Sequence, residues 1–89
     1  VQGAGQIPVA IRPNPVAGAA ALYLDLPAES SVSGVLTDMQ GRMLQRLFSS
    51  DLPEREQQVA FPEIHLPSGH YLLRLQIGET IQLIPFLKQ

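Results

Sequence analysis

His70-Tyr71-Leu72-Leu73-Arg74-Leu75-Gln76-Ile77, then Gly78-Glu79, then Thr80-Ile81-Gln82-Leu83-Ile84-Pro85-Phe86-Leu87: this stretch decides the fold. Tyr71, Leu73, Leu75 and Ile77 recur at every second residue, with Leu72, Arg74 and Gln76 between them. A period of two belongs to a strand with one face buried. Gly78-Glu79 is a two-residue link of the Gly-X kind, which favours a type II′ hairpin turn. Thr80 to Leu87 is then the returning, closing strand. Pro85 has no N–H to give to a ladder, so this strand is expected at a sheet edge, or to carry a bulge at that point.

Working outward, the same grammar repeats. Ala20 to Leu26 alternates, with Leu22, Leu24 and Leu26 on one face and Tyr23 and Asp25 on the other. Ile7 to Arg12 is a shorter alternating run, stopped by Pro13-Asn14-Pro15. Val32 to Asp38 and Arg42 to Ser49 read as a hairpin around Asp38-Met39-Gln40-Gly41. Asp suits the first turn position, and Gly41 can take positive φ at the exit. Ser50 to Glu56 reads as a polar loop, with one helical turn at Leu52-Pro53-Glu54. Gln57 to Pro62 is a short strand with Val59 and Phe61 on one side, and Leu66-Pro67-Ser68-Gly69 is a turn. About seven short strands with turns every ~8–12 residues predict an all-β, immunoglobulin-like sandwich of antiparallel strands. Tyr71 is expected to place its ring in the core and its hydroxyl at a corner.

Composition narrows the function. The chain has 89 residues, of which 45% are hydrophobic, enough for one small domain with a thin core. There is no cysteine, which excludes disulfides, thiolate metal sites and a Cys nucleophile. Net charge is −2 and no basic stripe exists, so no nucleic acid is expected as a partner. No apolar run approaches the roughly 20 residues that span a bilayer. Val1-Gln2-Gly3-Ala4-Gly5-Gln6 lacks the basic and apolar regions of a signal peptide and reads as a linker from an upstream part of a longer protein, with the domain proper over residues 7–89.

Catalytic chemistry is not found. His65 and His70 flank one turn, with Glu63 the nearest third ligand, and histidines so placed are ordinary polar turn residues more often than ligands. Asp25 and Asp38 stand on a strand face and a turn, with no cleft between them. The serines lack a G-x-S-x-G context, and Gly3 and Gly5 do not sit between a strand and a helix. No catalytic residue, metal site or cofactor is expected, and the chain is read as a non-enzyme. What remains is surface shape and strand edges, and the last strand is a candidate for pairing with a partner or for self-association.

Several landmarks now stand in order: Pro13-Asn14-Pro15; Val35-Leu36-Thr37-Asp38-Met39-Gln40-Gly41-Arg42-Met43-Leu44; Leu66-Pro67-Ser68-Gly69-His70-Tyr71-Leu72-Leu73-Arg74-Leu75; and Pro85-Phe86-Leu87-Lys88-Gln89. Over residues 9–89 the chain resembles the type A C-terminal sorting domain of type IX secretion cargo of Bacteroidetes. That family reads as a PNP box, an h-x-D-x-x-G-R-h hairpin, an L-P-x-G-x-Y-x-h-x-h strand and a short basic-apolar terminus. Pro85 departs from it, since a Lys usually precedes the last apolar residues; Lys88 is the nearby candidate to match.

The resemblance implies a seven-strand immunoglobulin-like sandwich that addresses a larger protein. That protein crosses the periplasm and ends on the outer-membrane surface or secreted. The partners implied are the type IX translocon, its outer-membrane shuttle protein, and a sortase-like cysteine peptidase that cuts near Val1–Gln6. The implied motif residues are Pro13, Asn14, Pro15, Asp38, Gly41, Arg42, Leu66, Gly69 and Tyr71, with Phe86, Leu87, Lys88 and Gln89 as the terminal recognition element. Two alternatives stand beside this reading. One is a retained, uncleaved sorting-like domain of the secretion or attachment machinery. The other is a generic immunoglobulin-like accessory or adhesion module, sugar-binding if Tyr23, Phe48 and Phe61 form an exposed platform.

Overall fold

The computed structural model describes residues 7–61 and 64–89. It contains seven strands and, among the described residues, no helix: β1 (Val9–Arg12), β2 (Ala21–Leu26), β3 (Ser30–Thr37), β4 (Met43–Leu52), β5 (Arg55–Ala60), β6 (Gly69–Ile77) and β7 (Thr80–Lys88). They form a three-stranded sheet in the order β1-β2-β5 and a four-stranded sheet in the order β4-β3-β6-β7, with every neighbour antiparallel. This is the all-β, immunoglobulin-like sandwich that the alternation predicts.

Parity along the strands makes the core. Leu22, Leu24 and Leu26 of β2 face Val32 and Leu36 of β3 and Tyr71, Leu73, Leu75 and Ile77 of β6, in one buried cluster. Leu22, Leu36, Leu73 and Leu75 have no exposed surface. Phe86 packs edge-on to Phe61, with ring centroids 6.4 Å apart, and lies 6.2 Å from Tyr71. The Tyr71 hydroxyl donates to the Pro67 carbonyl at 2.6 Å. That is the corner arrangement in which a sandwich tyrosine stays buried while its polar tip is satisfied.

The hairpin of β6 and β7 turns at Gly78, whose φ is 60°, as the first position of a II′ turn requires. Its register runs unbroken from Ile77 opposite Thr80 to Gly69 opposite Lys88. A two-residue hairpin makes Ile77–Thr80 a hydrogen-bonded pair, and such pairs alternate with open ones. Pro85, opposite Leu72, therefore stands at an open pair on an edge strand. The N–H it lacks would point away from β6, so the ladder loses nothing. The edge position is realised, without a bulge.

Two expectations need correction. Ser50 to Glu56 is not a polar loop with a helical turn. β4 continues to Leu52 because Ser30, Ser31 and Val32 offer ladder partners to Leu52, Asp51 and Ser50, and Ser31 Oγ donates to Asp51 Oδ1 at 2.7 Å. β5 then begins at Arg55, which takes φ 82°, leaving Pro53 and Glu54 as the link. The end of the expected strand Gln57–Pro62 lies outside the described residues, as do Val1–Gln6 and Glu63.

Gly34 is the most closely approached of the described glycines. It lies buried in β3 between Phe48 of β4 and Leu75 of β6, and a Cβ built there would sit 2.6 Å from Phe48 Cε1. The Phe48 ring thus occupies the space that a side chain would need. Gly34→Ala is expected to displace that ring and destabilise the domain by about 1–3 kcal/mol. Phe48→Leu combined with Gly34→Ala is expected to recover part of the loss. Urea unfolding of the four-member cycle checks this, and simple additivity of the two changes would refute the contact account.

Candidate functional site

Register alone gathers the motif residues, although they are up to 76 positions apart in sequence. Thr37, the last residue of β3, pairs with Leu72, and Leu72 pairs with Pro85. The turn after Thr37, the start of β6 and the end of β7 therefore share one end of the four-stranded sheet. The Pro13–Pro15 segment reaches the same end. β1 finishes at Arg12 in the three-stranded sheet, and the chain then crosses to the free edge of β7. There Val16 forms a parallel bridge with Lys88. The Val16 N–H donates to the Leu87 carbonyl at 2.8 Å, and the Gln89 N–H donates to the Val16 carbonyl at 2.8 Å. The Leu87 N–H donates to Asn14 Oδ1 at 3.1 Å. Pro13 and Pro15, each preceded by a cis peptide bond, flank this side-chain contact. The proline box thus carries the chain from one sheet to the other and binds the terminal residues.

The Asp38 turn is built by its carboxylate. Oδ1 accepts the N–H groups of Gln40 and Arg42, each at 2.9 Å, and Oδ2 accepts Arg42 Nε–H at 2.9 Å. The Asp38 carbonyl accepts Gly41 N–H at 3.0 Å, and the Asp38 N–H donates to the Arg42 carbonyl at 3.0 Å. Gly41 holds φ 88° at the turn exit. The Arg42 N–H, foremost, and its guanidinium keep the Asp38 carboxyl below its usual pKa. The D-x-x-G-R spacing is thereby explained as one hydrogen-bonded unit. Asp38 closes it from the front, Gly41 permits the bend, and Arg42 answers from behind.

The remaining motif residues divide by exposure. Leu66 is half-buried against the core, Gly69 pairs with Lys88 at the start of β6, and Tyr71 is in the core. Phe86 is 3% exposed, so its ring is a core group in the folded chain. Leu87 and Lys88 are half-buried and Gln89 is exposed. The motif residues that reach the surface at this end are Pro13, Asn14, Pro15, Gly41, Arg42 and the last three residues, beside exposed Met39, Gln40, Met43, Pro67, Ser68 and His70.

Two contributors escape the sequence reading. Val16 carries no motif signal at all. Gln82 does carry one, since it is polar on the parity of β7 that Ile84 and Phe86 share, and it is buried. Its carboxamide bonds the backbone of Ile7 at both groups, donating from Nε2 to the Ile7 carbonyl at 2.9 Å and accepting the Ile7 N–H at 3.2 Å. Ile7 is thereby tied near the Thr80 end of β7, opposite the end that holds the motifs.

Other surfaces offer less. An open concavity of about 490 Å3 covers the outer face of the three-stranded sheet, lined by Arg12, Tyr23, Asp25, Glu56 and Gln58 among others. The Arg12 guanidinium lies 5.4 Å from the Tyr23 ring centroid. Of the three aromatics a sugar platform would use, Tyr23 alone is on this face. Phe61 is buried, and Phe48 packs against the core. His65 and His70 are exposed, and no group of three or more metal-ligating side chains occurs among the described residues.

A family model described as the secretion system C-terminal sorting domain matches residues 10–85 of the chain. No curated protein and no solved structure matches it.

Proposed function

The chain belongs to the secretion system C-terminal sorting domain family, and on that premise we propose that its motif-bearing end is the surface by which the type IX secretion machinery holds an exported protein. Membership makes the domain a sorting signal for export to the cell surface or the medium, in a family not known as catalytic. The finer reading is that the type IX translocon and its outer-membrane shuttle protein grip this end while the cargo is in the periplasm. A sortase-like cysteine peptidase then cuts on the linker side, ahead of Ile7.

One observation carries the reading. The proline box, the Asp38 hairpin, the start of β6 and the terminal residues lie at a single end, and Asn14 and Val16 hydrogen-bond Leu87 and Gln89 there. Ile7, where the linker meets the domain, is tied toward the opposite end by Gln82. A tag built this way presents its recognition end away from whatever it is attached to. In this reading the terminal residues work as part of a folded surface rather than as a loose peptide.

The test is a reporter with a periplasmic export signal, fused ahead of these 89 residues in a Bacteroidetes host. It is expected at the surface or in the medium when the translocon is intact, and in the periplasm when the translocon is deleted. Removing Leu87–Gln89 deletes all the β7 groups that bond Asn14 and Val16, and is expected to trap the reporter in the periplasm. Normal display of that truncation would overturn the proposal. The mass of the mature parent protein tests the cleavage step, and a parent that still carries the domain would remove the peptidase from the account.

A further inference from the structure

We propose that the corner formed by the Met39–Leu44 hairpin and the adjoining outer face of the four-stranded sheet is a membrane-contact surface, which takes the phosphate-bearing boundary of an anionic phospholipid bilayer. The proposal is independent of the sorting reading, since it concerns the domain and lipid alone.

Met39 to Leu44 are six consecutive exposed residues, a projecting tip rather than a groove. Met39 and Met43 are 54% and 60% exposed, and Leu44 is exposed beside them. Large apolar side chains gathered at one exposed place mark an interaction site, where singly scattered ones do not. Strand register extends the corner over the sheet. Leu36 and Leu73 are paired and fully buried, so the alternate rows face outward. One such row is Met43, Thr37 and Leu72, and the next is Arg46, Val35 and Arg74. Val35 and Leu72 are half-buried, and both arginines are exposed. Two guanidinium groups thus flank an apolar strip that leads to the methionines.

The charge of the corner has one sign. Among the described residues one ion pair forms, Arg42 with Asp38, and it is lopsided: the Arg42 side chain is 79% exposed and that of Asp38 17%. The Asp38 carboxylate is turned into the hairpin, where it accepts three N–H groups, so the pair presents its cation. The exposed carboxylates stand elsewhere. Asp25 and Glu56 oppose each other on the three-stranded sheet. Glu29, Asp51, Glu54 and Glu79 lie toward the other end of the four-stranded sheet, where Ser31 pairs with Asp51 and its carbonyl accepts the Gly78 N–H. A chain of net charge −2 has set three arginines, and no exposed side-chain carboxylate among the described residues, around its apolar corner.

A bilayer interface answers both halves of this chemistry. Its acyl boundary accepts thioether and aliphatic side chains, and its phosphates accept guanidinium N–H groups in pairs. Such contact needs no matching cavity, which suits a tip. Anionic lipid adds an attraction that grows with each basic residue held near the surface. The apolar area is small, so binding is weak and reversible.

Flotation of the 89-residue chain with phosphatidylglycerol–phosphatidylethanolamine vesicles, against phosphatidylcholine vesicles, tests this. The chain is expected to float with the first and not with the second, and to be released by high salt. Arg46→Gln and Arg74→Gln are each expected to weaken binding about fivefold, and Met39→Ser combined with Met43→Ser by about tenfold or more. Arg12→Gln removes the same charge from the other sheet and is expected to leave binding within about twofold. The chain has no cysteine, so Met43→Cys and Gln58→Cys each carry a single environment-sensitive fluorophore. A blue shift with the anionic vesicles is expected at the first site and not at the second. Circular dichroism verifies that each variant is folded. Failure to float with the anionic vesicles would overturn the proposal, leave the corner to an acidic protein surface, and leave the sorting reading untouched. Equal flotation with both vesicles, indifference to the arginine changes, or equal shifts at the two labelled sites would overturn it equally.

Discussion

Leu73→Ala is expected to destabilise the domain by about 2–5 kcal/mol. Leu73 has no exposed surface and stands at the middle of β6. It pairs with Leu36 of β3 on one side and Ile84 of β7 on the other. Leu36 is likewise fully buried, so this row spans the centre of the four-stranded sheet's inner face. Removing three carbons there forfeits their burial and leaves a cavity that paired backbones on both sides hold open. A domain of this size has a total stability of only about 4–13 kcal/mol, so a large fraction is lost in one substitution. Urea unfolding followed by far-ultraviolet circular dichroism should show a lower midpoint with an unchanged slope. A loss under about 1 kcal/mol would mean that the two sheets close over the gap, and that the thin core is less tightly packed than its burial implies.

What the sequence could reveal follows from where each strand sits. β2 and β6 are buried on one face along their whole length, so Leu22, Leu24 and Leu26, and Tyr71, Leu73, Leu75 and Ile77, print a clean period of two. The distal half of β4 prints none. Ser49, Ser50 and Asp51 are exposed, and what keeps them in a strand is the ladder to Ser30–Ser33, a non-local cause that leaves no local pattern. Gly34 and Phe48 are a related case, because a glycine in a strand states that something is close without stating what.

The site is legible to different depths. Asp38, Gly41 and Arg42 lie within five positions of one another, and their turn chemistry is local, so the hairpin can be read directly. Tyr71 and Pro67 are likewise close in the chain, and the corner bond between them follows the expectation. The bond from Leu87 to Asn14 spans 73 positions, and no periodicity encodes it. Pro13-Asn14-Pro15 can be seen to stop a strand, but its passage to the opposite sheet depends on where β7 ends. Gln82 lies between these cases: a polar residue on an inward position announces a buried partner, while the identity of Ile7 emerges from the fold alone.

Phe86→Ala is expected to cost about 3–5 kcal/mol, and it separates two roles that the terminal residues combine. Phe86 is 3% exposed and touches the rings of Phe61 and Tyr71, joining β7 to the aromatic corner of the core. Leu87, Lys88 and Gln89 lie beyond that core and are held by Asn14 and Val16. Loss of Phe86 should therefore lower the unfolding midpoint strongly. Its effect on sorting should follow the fraction unfolded and recede as the temperature is lowered. Loss of residues 87–89 should lower the midpoint less, because it removes edge hydrogen bonds, each worth about 0.5–1.5 kcal/mol net, and half-buried side chains. Yet it should abolish sorting at every temperature at which the domain is folded. Thermal unfolding and reporter localisation, measured together on the two variants, read both roles. Should Phe86→Ala remain as stable as the parent and still fail to sort, the ring would be a contact for the secretion machinery rather than a core group. Should both variants lose sorting only in proportion to unfolding, the folded domain as a whole would be the signal, and its last three residues a part of its stability alone.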